Sequence, residues 1–246
     1  MFEYHAPENL LENKIILVTG AGDGIGRAAA LSYAAHGATV ILVGKTIEKL
    51  DKVYDEIEAA GGPKPAILPL NLETATEHDL IDITNTLDNE FGHIDGLLHN
   101  ASVLGMRTPI ESYDPVTWHQ VMQVNINTPF LLTQTLMPLL HRSESASIIF
   151  TSSSVGRKGR AYWGAYSVSK FATEGLMQVL ADEVENTANI RANCINPGAT
   201  RTNMRAFAYP GEQPETNPEP GEIMPLYLYL MGKDSLGING QSLDAQ

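Results

Sequence analysis

Short, nearly unbroken apolar runs punctuate the chain at Lys14 to Thr19, Ala38 to Val43, Ala66 to Leu70, Ile94 to His99, Ser147 to Thr151 and Ile190 to Ile195. Apolar runs that do not alternate with polar residues predict strands covered on both faces. Between them the apolar spacing changes to the helical period, over Ile25 to His36, Ile47 to Ala60, Glu77 to Phe91, about Pro115 to Leu140 and roughly Tyr162 to Glu185. Gly37 and the pair Gly61-Gly62 close two of these segments, as expected at helix ends. Strand and helix therefore alternate, which predicts an α/β fold: one doubly wound Rossmann-like domain with a seven-stranded, mainly parallel sheet flanked by helices. With 246 residues and no linker or repeat, the domain is expected to span 1–246.

The segment from Asn203 to Glu222 breaks the pattern. It holds Pro210, Pro214, Pro218 and Pro220, so it predicts a long loop that sustains neither a helix nor a central strand. Met204, Phe207 and Tyr209 near its start leave two readings, a substrate lid or a plain surface loop.

Charge and composition exclude several classes of function. The formal charge is −13 with 16 scattered Lys and Arg, which argues against nucleic acid as a partner. The single cysteine, Cys194, excludes an internal disulfide, and its apolar setting predicts a reduced, buried thiol. Neither a signal-like start nor an apolar stretch of roughly 18 residues is found, so no membrane span is expected and the location is read as cytoplasmic. None of the 7 histidines stands in a metal-binding spacing, His99 reads as a packed residue, and no metal is expected.

Chemistry is first signalled by Gly20, Gly22, Asp23, Gly24, Ile25 and Gly26, between the first strand and the first helix. The glycines allow a sharp turn and a close ligand approach, and the helix amides that follow suit a pyrophosphate. The order is GxxxGxG rather than GxGxxG, so its position after a strand carries the inference. At the end of the second strand stand Gly44, Lys45 and Thr46, where an NAD enzyme would place a carboxylate on the ribose. Lys45 with no acid beside it predicts NADP(H) in preference to NAD(H).

Tyr166 and Lys170 are four residues apart on a predicted helix and share one face. With 9 tyrosines in the chain, roughly 0.3 such pairs arise by chance. Their weight comes from context, namely Ser153 at the carboxyl end of the fifth strand, 13 residues ahead of Tyr166, and the glycine turn upstream. Ser152 and Ser154 would point to the opposite face from Ser153 if the strand persisted.

Together these features resemble the short-chain dehydrogenase/reductase family over nearly the whole chain. Phe150 to Arg160 and Tyr166 to Leu180 look closest to bacterial members of mostly unassigned substrate. The resemblance implies that Tyr166 is the general acid or base, that Lys170 holds the nicotinamide ribose and lowers the tyrosine pKa, and that Ser153 bonds the substrate oxygen. The fourth catalytic role falls on Asn125. Pro129, four residues on, has no N–H to offer the Asn125 carbonyl, so the helix is expected to kink and free an acceptor for a water leading to Lys170.

By the same resemblance Asn100 and Ala101 lie beside the cofactor, with Ser102 in place of the usual glycine. Asn71 and Leu72 lie near the adenine, Asn71 replacing the usual Asp. Pro197 and Gly198, followed by Thr202, resemble the segment that contacts the nicotinamide amide, and Thr200 lies close by. The cluster Arg157, Lys158 and Arg160 reads as a solvated basic loop or as a rim for an anionic substrate. The tail ending at Gln246 lacks a glycine-rich close, which leaves its packing open. The implied activity is reversible carbonyl/alcohol hydride transfer on a small molecule by a homodimer or homotetramer. The rival is a cofactor-binding regulatory or interaction protein with little turnover.

Overall fold

The computed structural model describes residues 1–246. Seven strands form one sheet in the order β3-β2-β1-β4-β5-β6-β7, and every neighbouring pair is parallel. They are β1 (Ile15–Thr19), β2 (Thr39–Gly44), β3 (Ala66–Pro69), β4 (Gly96–His99), β5 (Ala146–Thr151), β6 (Ile190–Asn196) and β7 (Ser242–Asp244). Six of them fall where the apolar runs predict. The seventh is supplied by the tail, which pairs with β6 through Cys194, Ile195 and Asn196.

The helices are α1 (Gly24–Ala35), α2 (Ile47–Ala59), α3 (Glu77–Phe91), α4 (Pro115–Met122), α5 (Thr128–Leu140), α6 (Gly164–Val184), α7 (Asn203–Ala208) and α8 (Met224–Met231). The strand pleat sends alternate residues to two separate cores. Ile16 and Val18 of β1 pack with α1, α2 and α8, whereas Leu17 packs with α3, α5 and α6. Both faces are thus dry, which is why the strand sequences do not alternate.

Two expectations are corrected. The stretch from Pro115 to Leu140 is helical throughout, as expected, but its irregularity is not a plain bend at Pro129: a π-turn at Gln123–Asn127 joins α4 to α5, and the Thr128 N–H bonds the Gln123 carbonyl five residues back. Pro129, just beyond the π-turn, offers no N–H to the turn before it, so the irregularity and the missing donor fall at the same place. Asn203–Glu222 is not helix-free either, because α7 occupies its first six residues. Thr202 caps α7 by accepting from the Arg205 N–H, and the helix ends at Ala208, before Pro210 can obstruct it. The prolines beyond shape only short 3₁₀ turns at Pro214–Thr216 and Pro220–Ile223.

Candidate active site

β1 and β4 are adjacent although their chain connections run to opposite sides, and a crevice opens beyond their carboxyl ends, as expected at such a switch point. The Thr19 hydroxyl ties the two strands there. It donates to the Leu98 carbonyl and accepts from the Asn100 and Ala101 N–H groups, at 3.0 and 3.1 Å. The crevice is a cavity of about 480 Å³ running from the glycine turn to α7. Every residue expected to take part in catalysis or to bind the cofactor lines it except Gly26 and Asn125, which pack against the lining residues Asn100 and Val103.

The turn has the properties a phosphate cradle needs. Gly20 and Gly24 have φ of +69° and +52°, a region costly for other residues. A Cβ at Gly26 would lie 2.2 Å from the Gly20 carbonyl oxygen, so α1 can approach β1 this closely only with glycine there. The Asp23 side chain accepts from the Gly24 N–H at 2.8 Å, which caps α1. Its other oxygen takes Lys49 Nζ at 2.5 Å and Asn203 Nδ2 at 3.2 Å, joining the turn to α7. The bond to Lys49 holds the Asp23 carboxyl below the usual range. Lys45 and Thr46 are exposed at the cavity wall with Glu73 and with Lys49, whose charge Asp23 answers, so Lys45 is the cation left without an ion-pair partner at that end. These features fit a dinucleotide bearing an added phosphate.

At the other end, α6 presents Tyr166 and Lys170, both buried. Lys170 Nζ donates to the Thr151 carbonyl at 2.7 Å and lies 5.5 Å from the centroid of the Tyr166 ring. Burial lowers the Lys170 ammonium to about 8, opposed by the negative charge of Glu174, the neighbouring Cys194 being kept a neutral thiol by burial. Burial pushes the Tyr166 phenol up to about 12, and a hydrogen bond with Ser153 works against that rise. Ser153 is in extended backbone past the end of β5. Ser152 turns away, donating to Glu174 Oε1 at 2.5 Å, so the two serines do part.

Asn125 spends its side chain on structure. Its Oδ1 accepts from the Val103 N–H, while Nδ2 donates to the Val103 carbonyl and to Ser169 Oγ, all within 3.0 Å. It thereby fastens the loop after β4 to α6, one residue from Lys170. Asn71 Oδ1 accepts from the Glu73 N–H, which leaves its Nδ2 and one Oδ1 lone pair for a ligand, and the Leu72 carbonyl is held by Thr128. The Ser102 hydroxyl is buried without a protein partner at the cavity wall. A buried hydroxyl left unbonded is costly, so it fits a site that a polar ligand completes.

The sequence of the short chain dehydrogenase family matches residues 14–213. The chain belongs to that family. It is an oxidoreductase of this family, 52% identical over 243 residues to the uncharacterized oxidoreductase YciK of Escherichia coli K12, covering 99% of this chain and 96% of that protein. A short chain dehydrogenase from Pseudomonas syringae matches with TM-score 0.99 and 61% identity, covering 100% of both chains. One from Escherichia coli CFT073, complexed with NADPH, matches with TM-score 0.95 and 53% identity, over 98% of this chain and 99% of that one. The bacterial subgroup expected from Phe150 to Arg160 and Tyr166 to Leu180 is therefore the YciK type.

Several residues of this short-chain dehydrogenase site escaped the sequence reading. Trp163, Leu104 and Ala208 form with Tyr166 a small apolar cluster, joined by Met204 and Tyr209 of the former loop. Arg107 stacks over Trp163 and Tyr209 and donates to the Ala208 carbonyl, latching α7 to the loop after β4. Phe207, which shared the lid expectation, points away and is 71% exposed. Arg157 is neither freely solvated nor at the substrate rim, because Asp244 and Ser242 bind it. The tail is packed: Gln246 Nε2 donates to the Pro197 carbonyl at 2.6 Å and to Thr200 Oγ1 at 3.2 Å, bracing the Pro197 to Thr200 segment. His99 is stacked on Phe150 and bonded to Thr133, and burial lowers its pKa to about 3, so its ring is neutral. No helix is long and apolar enough to cross a membrane.

Proposed function

We propose that this dehydrogenase catalyses reversible NADP(H)-dependent reduction of a small ketone or aldehyde, with Tyr166 as general acid or base. The observation carrying this reading is that Tyr166, Lys170 and Ser153 share one cavity with the glycine turn. When bound, NADPH supplies the hydride. Gly20, Gly22, Asp23, Gly24, Ile25 and Gly26 would hold its pyrophosphate. Asn71 and Leu72 would hold the adenine, and Asn100, Ala101, Pro197, Gly198, Thr200 and Thr202 the nicotinamide half.

The protein's own part is to hold a proton and an oxygen. The Ser153 and Tyr166 hydroxyls would both bond the substrate oxygen, and the phenol would hand over its proton as negative charge develops there. The Lys170 ammonium favours the phenolate left behind. The Asn125 carbonyl is assigned to a water connecting Lys170 with solvent. Trp163, Leu104, Met204, Ala208 and Tyr209 favour a substrate with an apolar body. A homodimer or homotetramer in the cytoplasm completes the reading. Exposed Phe130 on α5 with Val168, Phe171 and Val179 on α6 provide an apolar surface for such an assembly.

A panel of carbonyl compounds, followed by NADPH absorbance, tests the proposal, with thermal stabilisation by NADPH as the control for site occupancy. Stabilisation without turnover of any compound favours the regulatory alternative. Cofactor choice has its own test. The NADP and NADPH complexes of the Shigella flexneri and Escherichia coli relatives, together with Lys45, support a 2′-phosphate ligand. Lys45→Glu is expected to weaken NADPH about tenfold, equal to about 1.4 kcal/mol, and to leave NADH within about twofold. Equal losses for both cofactors would detach Lys45 from the phosphate.

A further inference from the structure

One turn beyond Lys170 on the same face of α6 lies Glu174, 7% exposed although it is an acid. An acid is buried this deeply only when its charge is bonded or paired. Its Oε1 accepts from Ser152 Oγ at 2.5 Å and from Ser242 Oγ at 2.8 Å, and Arg157 Nε lies 3.7 Å away. Ser152 directly follows Thr151, whose carbonyl holds the Lys170 ammonium. Two successive residues at the end of β5 thus bind the cation and the anion of α6.

The groups packed around Lys170 leave Glu174 as its counter-charge. Tyr166 is on the same helix with its phenol raised by burial, and so is neutral. Cys194, on β6, sits under Thr173 and is kept as a neutral thiol by burial. Tyr227, on α8, places its hydroxyl 3.5 Å from Thr151 Oγ1, and burial raises it as well. Asp244, on β7, is bound to Arg157 at 2.7 Å, closer than Arg157 lies to Glu174. The negative charge of Glu174 is therefore only partly answered by Arg157; it also takes the Cys194 thiol as a partner and acts on the Lys170 ammonium through space, with no direct ion pair between them.

We infer that Glu174 is a positioning residue for Lys170, its carboxylate being the buried counter-charge that keeps the ammonium protonated and held beside Tyr166. The inference rests on the role proposed above for Lys170. It also gives the Ser242 and Arg157 contacts a consequence for chemistry, because β7 and the loop after Ser153 fix where that carboxylate sits. Removing the charge leaves a buried cation opposed only by carbonyl and hydroxyl dipoles, which favours loss of its proton.

The test is an NMR titration of isotope-labelled lysine side chains in the cofactor-free protein, with the Lys170 signal assigned by its loss in Lys170→Met. In Glu174→Gln the Lys170 midpoint is expected to fall by about one pH unit. In Glu174→Asp, which keeps the charge, it should return most of the way. The alkaline limb of the kcat/KM profile should move in the same direction and by a similar amount. A folded Glu174→Gln protein with an unchanged Lys170 midpoint overturns the inference and leaves Glu174 as a staple for β7. If that variant does not fold, the Ser152→Ala/Ser242→Ala double variant carries the test by freeing the carboxylate. A displaced midpoint then supports the inference and an unchanged one overturns it. The titration involves no turnover, so its outcome is separate from that of the carbonyl panel.

Discussion

Tyr166→Phe is expected to lower kcat/KM for carbonyl reduction by about 10²- to 10⁴-fold, the usual contribution of a positioned acid or base. NADPH binding should stay within about twofold, because the phenyl ring keeps the packing against Trp163 and only the hydroxyl is lost. The pH dependence gives the prediction its sign. Burial holds the phenol near 12, so the proton needed for reduction is present at neutral pH. Lys170, lowered to about 8 by burial, loses its charge as pH rises through that value, and the phenol then becomes a weaker acid. Reduction should therefore be flat near neutrality and fall above about pH 8. Alcohol oxidation needs the phenolate and should climb with pH. The Phe variant should show neither trend. Measured turnover within a few fold of the unaltered protein, with its pH profile intact, would remove Tyr166 from the chemistry.

Much of this site was legible because it is built from local signals. The glycine turn, Ser153 and the Tyr166 and Lys170 pair each lie at the end of a strand or along one helix face, where spacing alone fixes direction. The six apolar strands were equally plain, since burial on both faces leaves no ambiguity of period. The parts that were not legible fail for definite reasons. α8 is Met-Pro-Leu-Tyr-Leu-Tyr-Leu-Met, buried at six of its eight positions, so it has no polar face and no 3.6-residue period to read. β7 has three residues and is only half-buried, too short for a pattern. α7 is a six-residue helix ahead of a proline run, and a lone threonine such as its cap, Thr202, does not distinguish a helix start from a cofactor contact.

Glu174 illustrates a different gap. Its i, i+4 spacing from Lys170 is what an ordinary surface ion pair would show. Only the sheet packed beneath α6 makes it a buried acid, and the residues that hold it, Ser152 and Ser242, are 22 and 68 positions away. Trp163, Arg107 and Tyr209 meet for the same reason: three separate loops converge at the crevice, and no local spacing relates them. The groups proposed for proton transfer could be picked out along the chain, whereas the shape of the substrate end could not.

Gly26→Ala carries the second large expected effect. The added methyl would stand 2.2 Å from the Gly20 carbonyl oxygen and 2.6 Å from Asn100 Nδ2. The Gly20 carbonyl belongs to the backbone of the turn and cannot easily retreat, because the turn is packed so closely on the chain leaving β4 that a Cβ on Gly20 would itself lie 3.0 Å from the Ala101 backbone. α1 must then lift from β1 or the turn must bulge into the cavity. Overpacking of this kind costs about 1–3 kcal/mol, which in a chain of this size lowers Tm by about 2–12 °C. The displaced turn should also abolish most of the thermal stabilisation by NADPH, normally about 2.7 kcal/mol at a hundredfold excess over Kd. Gly175→Ala supplies the contrast. Nothing lies within 4 Å of a Cβ there, in the middle of α6, so the same substitution should stabilise by about 0.5–1 kcal/mol and leave NADPH binding unchanged. A Gly26→Ala protein that melts lower yet keeps the full NADPH shift would mean that the glycine serves helix packing alone. Loss of the shift at a temperature where the variant is still folded ties that close approach to the cofactor.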